Sequence, residues 1–240
     1  MTNGCDREAP HRRGLGFRRI ALAAALVLGS ISAALADCND GPRAGVDWSG
    51  CSKERVLLDE YDLTGANFDF AFLSGISLRG AKLGGARFER TELVRASFAD
   101  ADLSGANLEK ALASRADFAG AKLIGARLVK VEFLRVRFVG ADLSDADLTE
   151  AILLRNDFSG ARFVGATLTG AVLPRAVFWG ADLTGADLGR AFLYRSQFEG
   201  VDLRGVLGLT QAQLDETCGD DRTMLPEGFS RPARWPCPAE

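Results

Sequence analysis

Ala101-Asp102-Leu103-Ser104-Gly105 and Ala181-Asp182-Leu183-Thr184-Gly185 share one five-residue pattern, and that pattern runs from Tyr61 to Leu207. Stepping by five from Leu63 to Leu203 meets Leu or Phe at 28 of 29 positions, so only Ala113 breaks the series. Two residues before each centre stands Ala in 21 of 29 cases, and two after it stands Gly in 15, so each unit combines a small residue, a large apolar one and a corner. A short fixed period is the sequence signature of a solenoid. Neither the 3.6-residue turn of a helix nor the alternation of a strand divides five evenly. One short extended segment plus one corner does fit, with Gly favoured where the backbone needs a positive φ. The centre and the residue two before it then point inward, and the other three point out.

A second period, of 20, groups four such segments into a square coil. Phe98, Phe118, Phe138, Phe158, Phe178 and Phe198 recur at that interval, and so do Arg95, Arg115, Arg135, Arg155, Arg175 and Arg195. Stacking at strand spacing, ~4.8 Å, puts the Phe side chains in one interior column and the Arg side chains along one exterior corner. About seven coils then make a rod ~35 Å long.

These residues resemble the pentapeptide-repeat family, whose pattern is small, polar, Leu or Phe, then two variable positions. The resemblance covers about 145 residues and implies an all-β fold, the right-handed quadrilateral β-helix. For the best-known members it also implies protection of type II topoisomerases by imitation of the charge of DNA; other members have no assigned activity.

The flanks read differently. Residues 1–36 form an export signal: basic residues up to Arg19, an apolar run from Ile20 to Leu28, and Ala34-Leu35-Ala36 at the cleavage site. Nine apolar residues are too few to span a bilayer as a helix, so a retained anchor is the weaker alternative and no membrane span is expected after signal removal. The pair Arg12-Arg13 leaves twin-arginine export open beside the general route, and Asp37 sits where a lipoprotein signal before Cys38 would need a small residue. Residues 37–57 are the N-terminal cap, with Trp48 as its lid, 58–208 the β-helix, and 209–240 a C-terminal cap and tail. Thr210-Gln211-Ala212-Gln213 reads as a capping box that opens a short helix with Leu214 inward. Prolines at 226, 232 and 236 keep the rest irregular.

Removing the signal takes away five Arg and two acidic residues, leaving 24 basic and 30 acidic and a net charge of −6. That balance argues against nucleic acid as ligand. Four cysteines remain, in two close pairs outside the repeat, and an exported chain meets an oxidising compartment, periplasmic or extracellular. Bridges Cys38 to Cys51 and Cys218 to Cys237 are expected.

The interior leaves no room for a ligand. The mature chain has no His, the carboxylates of the repeat all fall at outward positions, and no phosphate loop opens a helix. No catalytic, cofactor-binding or metal-binding residue is assigned, and the chain is read as a non-enzyme. Phe133 is expected to fill the space that Ala113 leaves, and Asn156 and Ser196, at inward positions, to bond to backbone.

Function is left to the outer walls. Asp62, Lys82, Asp102, Lys122, Asp142, Arg162 and Asp182 alternate in sign at the coil interval, a structural ladder that interrupts any continuous acidic face. The Arg corner repeats one sign. Its plain reading is duplication of a 20-residue unit, with the side chains splaying to Asp117 or Asp157; its sharper reading is an anion-binding ridge. Beside it the surface turns apolar towards the C-terminus through Leu134, Ile152, Leu154, Val172, Pro174, Phe192 and Tyr194, with Trp179 round the corner. The chain's own Phe229 and Trp235 could cover this patch, or another molecule could. Arg95, Arg115, Arg135, Arg155, Arg175, Arg195, Leu154, Val172, Trp179, Phe192 and Tyr194 are therefore the candidate partner-binding residues. The expected function is a non-catalytic exported scaffold or protein-interaction module whose partner is a protein or an anionic polymer; topoisomerase protection is the alternative.

Overall fold

The computed structural model describes residues 36–237, so the export signal lies outside the described residues apart from Ala36. The repeat closes its hydrogen bonds from coil to coil. Most centres donate their N–H to the carbonyl 19 residues on, as Leu63 does to Lys82 at 2.8 Å and Leu83 to Asp102 at 2.7 Å. The residue before each centre donates backwards, as Lys82 does to Tyr61 at 2.9 Å, and each corner closes on itself, as Ala66 N–H does on Leu63 C=O at 3.0 Å. All ladder pairing is parallel and in steps of about one coil, such as Asp62 with Lys82 and Lys82 with Asp102. Among the described residues, only β1 (Leu112–Ser114) and β2 (Glu132–Leu134) reach three residues as strands, with Ala113 opposite Phe133. The architecture is the quadrilateral β-helix that the two periods predict.

Every centre from Leu63 to Leu203 is buried. The Phe column stacks ring on ring, with centroids 4.6 Å apart between Phe98 and Phe118 and 4.9 Å between Phe178 and Phe198. Burying each ring contributes about 1.5–3 kcal/mol, so the interior sets the coil spacing as much as the ladder does. Phe133 lies 5.9 Å from Phe118 and 6.2 Å from Phe138, on the side that Ala113 leaves empty. Ser196 donates to Leu173 C=O at 2.7 Å, while Asn156 Oδ1 accepts from Val136 N–H at 2.8 Å and its Nδ2 has no partner.

The solenoid extends past both boundaries drawn from the sequence. Its first bridge joins Asp47 to Asn67, inside the segment read as cap, and Trp48 occupies the interior of that first coil, edge-on to Phe68 at 5.7 Å. Trp48 Nε1 donates to Asp40 C=O at 3.1 Å and Lys53 Nζ lies 4.3 Å from the ring centre, so the lid is held from both sides. At the other end Gln197 pairs with Cys218 and Asp202 with Met224, which adds an irregular last turn. Between them α1 (Gln211–Asp215) opens on the expected Thr210 and Gln213 capping box and buries Leu214. Cys38 is bonded to Cys51 and Cys218 to Cys237. Closing loops of 13 and 19 residues stabilises each end by ~3 kcal/mol in the chain-entropy account.

Candidate interaction surface

The six Arg residues occupy one corner, and each is held at a φ between 54° and 59°. Gly fills this position in 15 of the 29 units because a side chain costs roughly 1–2 kcal/mol there. The ladder imposes the geometry: Arg95 N–H donates to Ser114 C=O at 2.9 Å, and Arg115 N–H to Leu134 C=O at 3.0 Å. The side chains are therefore aimed outward by a backbone that does not depend on them.

Arg95, Arg115, Arg135 and Arg155 are exposed, whereas Arg175 and Arg195 are half-buried. Asp117 and Asp157 do not answer the ridge as the plain reading supposed. Asp117 lies on the neighbouring face and binds Arg137 bidentately at 3.0 and 2.5 Å, and Asp157 accepts from Ser159 Oγ at 2.6 Å. Burial pushes the Asp117 carboxyl up, but hydrogen bonds from Arg137 and the Ala119 N–H more than offset it, and its pKa lies below the ordinary value. Among the described residues no carboxylate comes within ion-pair distance of Arg95, Arg115, Arg135 or Arg155, and their guanidinium groups make no hydrogen bond. Val94, Ser114, Leu134 and Leu154 join Arg95, Arg115 and Arg135 in a shallow groove of about 320 Å³.

Many basic side chains elsewhere are matched. On the face centred on Leu108 and Leu128, Lys110 and Arg127 both reach Glu109 at 2.8 Å, and Lys130 reaches Glu150 at 3.3 Å. Those hydrogen bonds, from Lys110 first and then Arg127, hold Glu109 down at about 2. Asp69 departs from the expectation that outward carboxylates are solvated: Arg87 covers it, and it accepts the Glu89 N–H at 2.8 Å. The alternating ladder is in register, with Arg162 and Asp142 at 3.9 Å.

The apolar patch lies on the face that ends in the Arg corner. Glu132, Ile152, Val172 and Phe192 follow one another in one outer column, and Phe192 and Tyr194 set their rings 6.2 Å apart. Leu154 and Val172 are half-buried, while Phe192 and Trp179 are each 52% exposed. The structure brings Leu154, Val172, Phe192 and Tyr194 together with the ridge but puts Trp179 on the next face. It also removes one proposed cover. Trp235 is buried at the end of the rod, where its Nε1 donates to Thr217 C=O at 2.8 Å, and Phe229 packs on the core. At the last rung of the patch, Arg234 and Cys237 of the tail line a hollow with Tyr194 and Arg195. The sequence reading missed Glu199, Asp220 and Arg222, which gather round Trp179. The coil interval between 179 and 199 was the available signal; residues 220 and 222 lie beyond the period and gave none.

Among the described residues no group of His, Cys, Asp or Glu could hold a metal ion, and no helix is long and apolar enough to cross a membrane.

Comparison with known proteins agrees with this geometry. The model of pentapeptide repeats matches in 8 copies between residues 57 and 207. No curated protein matches the chain. Among solved structures the full-length QnrB1, a plasmid-mediated fluoroquinolone resistance protein, is similar at 19% identity and TM-score 0.59, over 75% of this chain and 91% of that one. A trypsin-treated variant of the same protein is similar at 19% identity and TM-score 0.54, over 82% and 91%. At this identity the likeness speaks for the fold alone. The repeat model spans well over half of the 240 residues, and the chain belongs to the pentapeptide-repeat family.

Proposed function

We propose that the chain is a non-catalytic, exported scaffold or protein-interaction module, and that it meets an acidic protein or an anionic polymer along the Arg corner and the apolar face beside it. The observation that carries this reading is the run of four exposed, unmatched guanidinium groups at coil spacing, on a molecule whose other basic side chains largely have acidic neighbours. Like charges ~5 Å apart repel by up to ~0.8 kcal/mol per pair in water before screening. A bound row of anions relieves that repulsion and adds charge-assisted hydrogen bonds. The interior of the described coils is filled by buried Leu, Phe and Ala side chains, which supports a role without catalysis. Export rests on the N-terminal sequence and fits the two disulfides.

The test uses Arg115, Arg135 and Arg155 changed together to Glu, which removes no contact inside the protein. Wild type is expected to retain heparin, or an acidic protein from the exported fraction, at low salt and to release it as salt rises; the triple variant is expected to retain neither. Equal retention by the two proteins would sink the proposal.

Topoisomerase protection is the second reading, brought forward by the fold shared with QnrB1. The sign alternation from Asp62 to Asp182 opposes it, since a DNA mimic needs an unbroken acidic face. A gyrase supercoiling assay decides: no change in fluoroquinolone inhibition at micromolar protein closes this reading.

A further inference from the structure

The corner that follows the Phe column carries Gly120, Gly140, Gly160, Gly180 and Gly200 in succession, a track along the rod whose own residues bear no side chains, with the Asp100 carboxylate reaching over Gly120 at its start. It ends in a groove of about 560 Å³ lined by Trp179, Gly180, Glu199, Gly200, Asp220 and Arg222. Trp179 is 52% exposed, against 1% for Trp48 and 9% for Trp235. Packing does not call for an indole at this position, because Ala119, Val139 and Ser159 fill it in the preceding coils. The indole is nonetheless oriented: Nε1 donates to Glu199 Oε2 at 2.7 Å, which fixes the ring by its edge and leaves a flat apolar surface.

The polar lining is fixed too. Asp220 accepts from Gly200 N–H at 2.9 Å and from Arg222 Nε and Nη2 at 2.9 and 2.8 Å. Those bonds, from Arg222 first, hold Asp220 ionised, down at about 2. Asp220 is saturated by these bonds, the remaining lone pairs of Glu199 accept, and the remaining N–H groups of Arg222, a side chain 79% exposed, donate. The groove thus sets one flat apolar platform beside acceptors and donors over three coils, ~10 Å.

We infer that this groove binds a neutral glycan, a pyranose chain laid along the glycine track with one ring against Trp179. A pyranose presents an apolar face of C–H groups to an aromatic ring, and each of its hydroxyls both donates and accepts, which is the mixture the lining offers. An organic cation fits less well: recognition of quaternary ammonium uses a cage of several rings, whereas here there is one, and the Asp220 charge is already matched by Arg222. The site lies on a different corner from the Arg ridge and does not depend on the proposed function.

Titration of the full chain with cellohexaose and with chitohexaose, followed by calorimetry and by tryptophan emission, tests the inference. Because Trp48 and Trp235 are buried, an emission shift reports Trp179. Saturable binding of either oligosaccharide is expected, weakened roughly tenfold or more in Trp179→Ala and close to wild type in Trp179→Phe, which keeps the platform without the N–H. Trp179→Ala is expected to keep its melting temperature and its heparin binding, so loss of the glycan alone separates this site from the ridge. No binding at millimolar oligosaccharide, equal binding by Trp179→Ala, equal loss in Trp179→Phe, or binding of choline in place of both sugars would each overturn it.

Discussion

Two corners bound the face that covers the Phe column, and their backbones are alike. Gly120, Gly140, Gly160, Gly180 and Gly200 have φ between 66° and 73°, and the six Arg residues of the other corner have φ between 54° and 59°. One corner adopts the left-handed conformation freely. The other adopts it with a large charged side chain in six successive coils. Interior and ladder evidently dictate the turn and leave the corner residue to be chosen for what it presents to solvent. The largest test of that statement is Phe138→Ala, in the column between the two corners. It is expected to lower unfolding free energy by about 3–5 kcal/mol in a denaturant melt. A cost below about 1 kcal/mol would mean that the corners, not the core, hold the coil spacing.

Next in size comes a reciprocal pair at the corners themselves. A Cβ added at Gly140 meets nothing within 4 Å, so Gly140→Ala isolates the conformational penalty, about 1–2 kcal/mol. Arg135→Gly relieves that penalty but frees the unfolded chain as well, so it is expected to stabilise by no more than about 1 kcal/mol. Two melts by the same denaturant measure both. If Gly140→Ala costs nothing, the left-handed turn is no constraint and the contrast between the corners loses its meaning.

The same contrast shows what the sequence could and could not say. Leu63 to Leu203 announced the interior because a side chain pointing in has few alternatives to being apolar. The corners were half legible: Gly pointed to positive φ, but Phe70, Asp100 and Arg135 adopt it too, at 59°, 60° and 54°, because ladder bonds on both sides leave the turn no other course. Trp48 was in phase, 15 residues before Leu63, yet it was read as a separate lid because it is neither Leu nor Phe. The Arg corner was legible as a column, but not that Arg95, Arg115, Arg135 and Arg155 have no carboxylate within ion-pair distance among the described residues, since whether Asp117 turns to a ridge Arg or to Arg137 depends on which face each occupies. Cys218 and Met224 join the ladder from a segment with no period, so nothing in their spacing foretold it.

Acid separates the paired carboxylates from the exposed Arg residues of the ridge. Glu109 and Asp220 are both held at about 2 in the folded chain, by Lys110 and by Arg222 first. A carboxylate with a depressed folded pKa contributes stability that is complete above its unfolded value, near 4, and is lost as pH falls through the folded one. Stability attributable to these two is therefore expected to stay level from pH 7 to about 5 and to decline between about 4 and 2. Glu109→Gln is expected to flatten part of that decline in thermal melts across pH 2–6, whereas Arg135→Gln, which breaks no ion pair, is expected to leave its shape unchanged.

The smallest effect bears most directly on function. Repulsion along the ridge amounts to at most ~0.8 kcal/mol per neighbouring pair, less once the side chains splay and salt screens them. Adding salt is expected to stabilise wild type by a few tenths of a kcal/mol through this term. Arg135→Gln removes two of the neighbouring repulsions and is expected to show a smaller salt response than wild type. Lys130→Gln breaks a pair with Glu150, 3.3 Å apart, and is expected to change the response in the opposite sense, because salt weakens an attraction there. Were the two variants to respond alike, the ridge would be no more frustrated than the rest of the surface. A polyanion seated on the ridge does what salt does, but at fixed positions, so the same repulsion measured in the free protein sets the electrostatic relief available to a bound partner. The residue class that costs the fold most at its corners is then the one through which binding gains most.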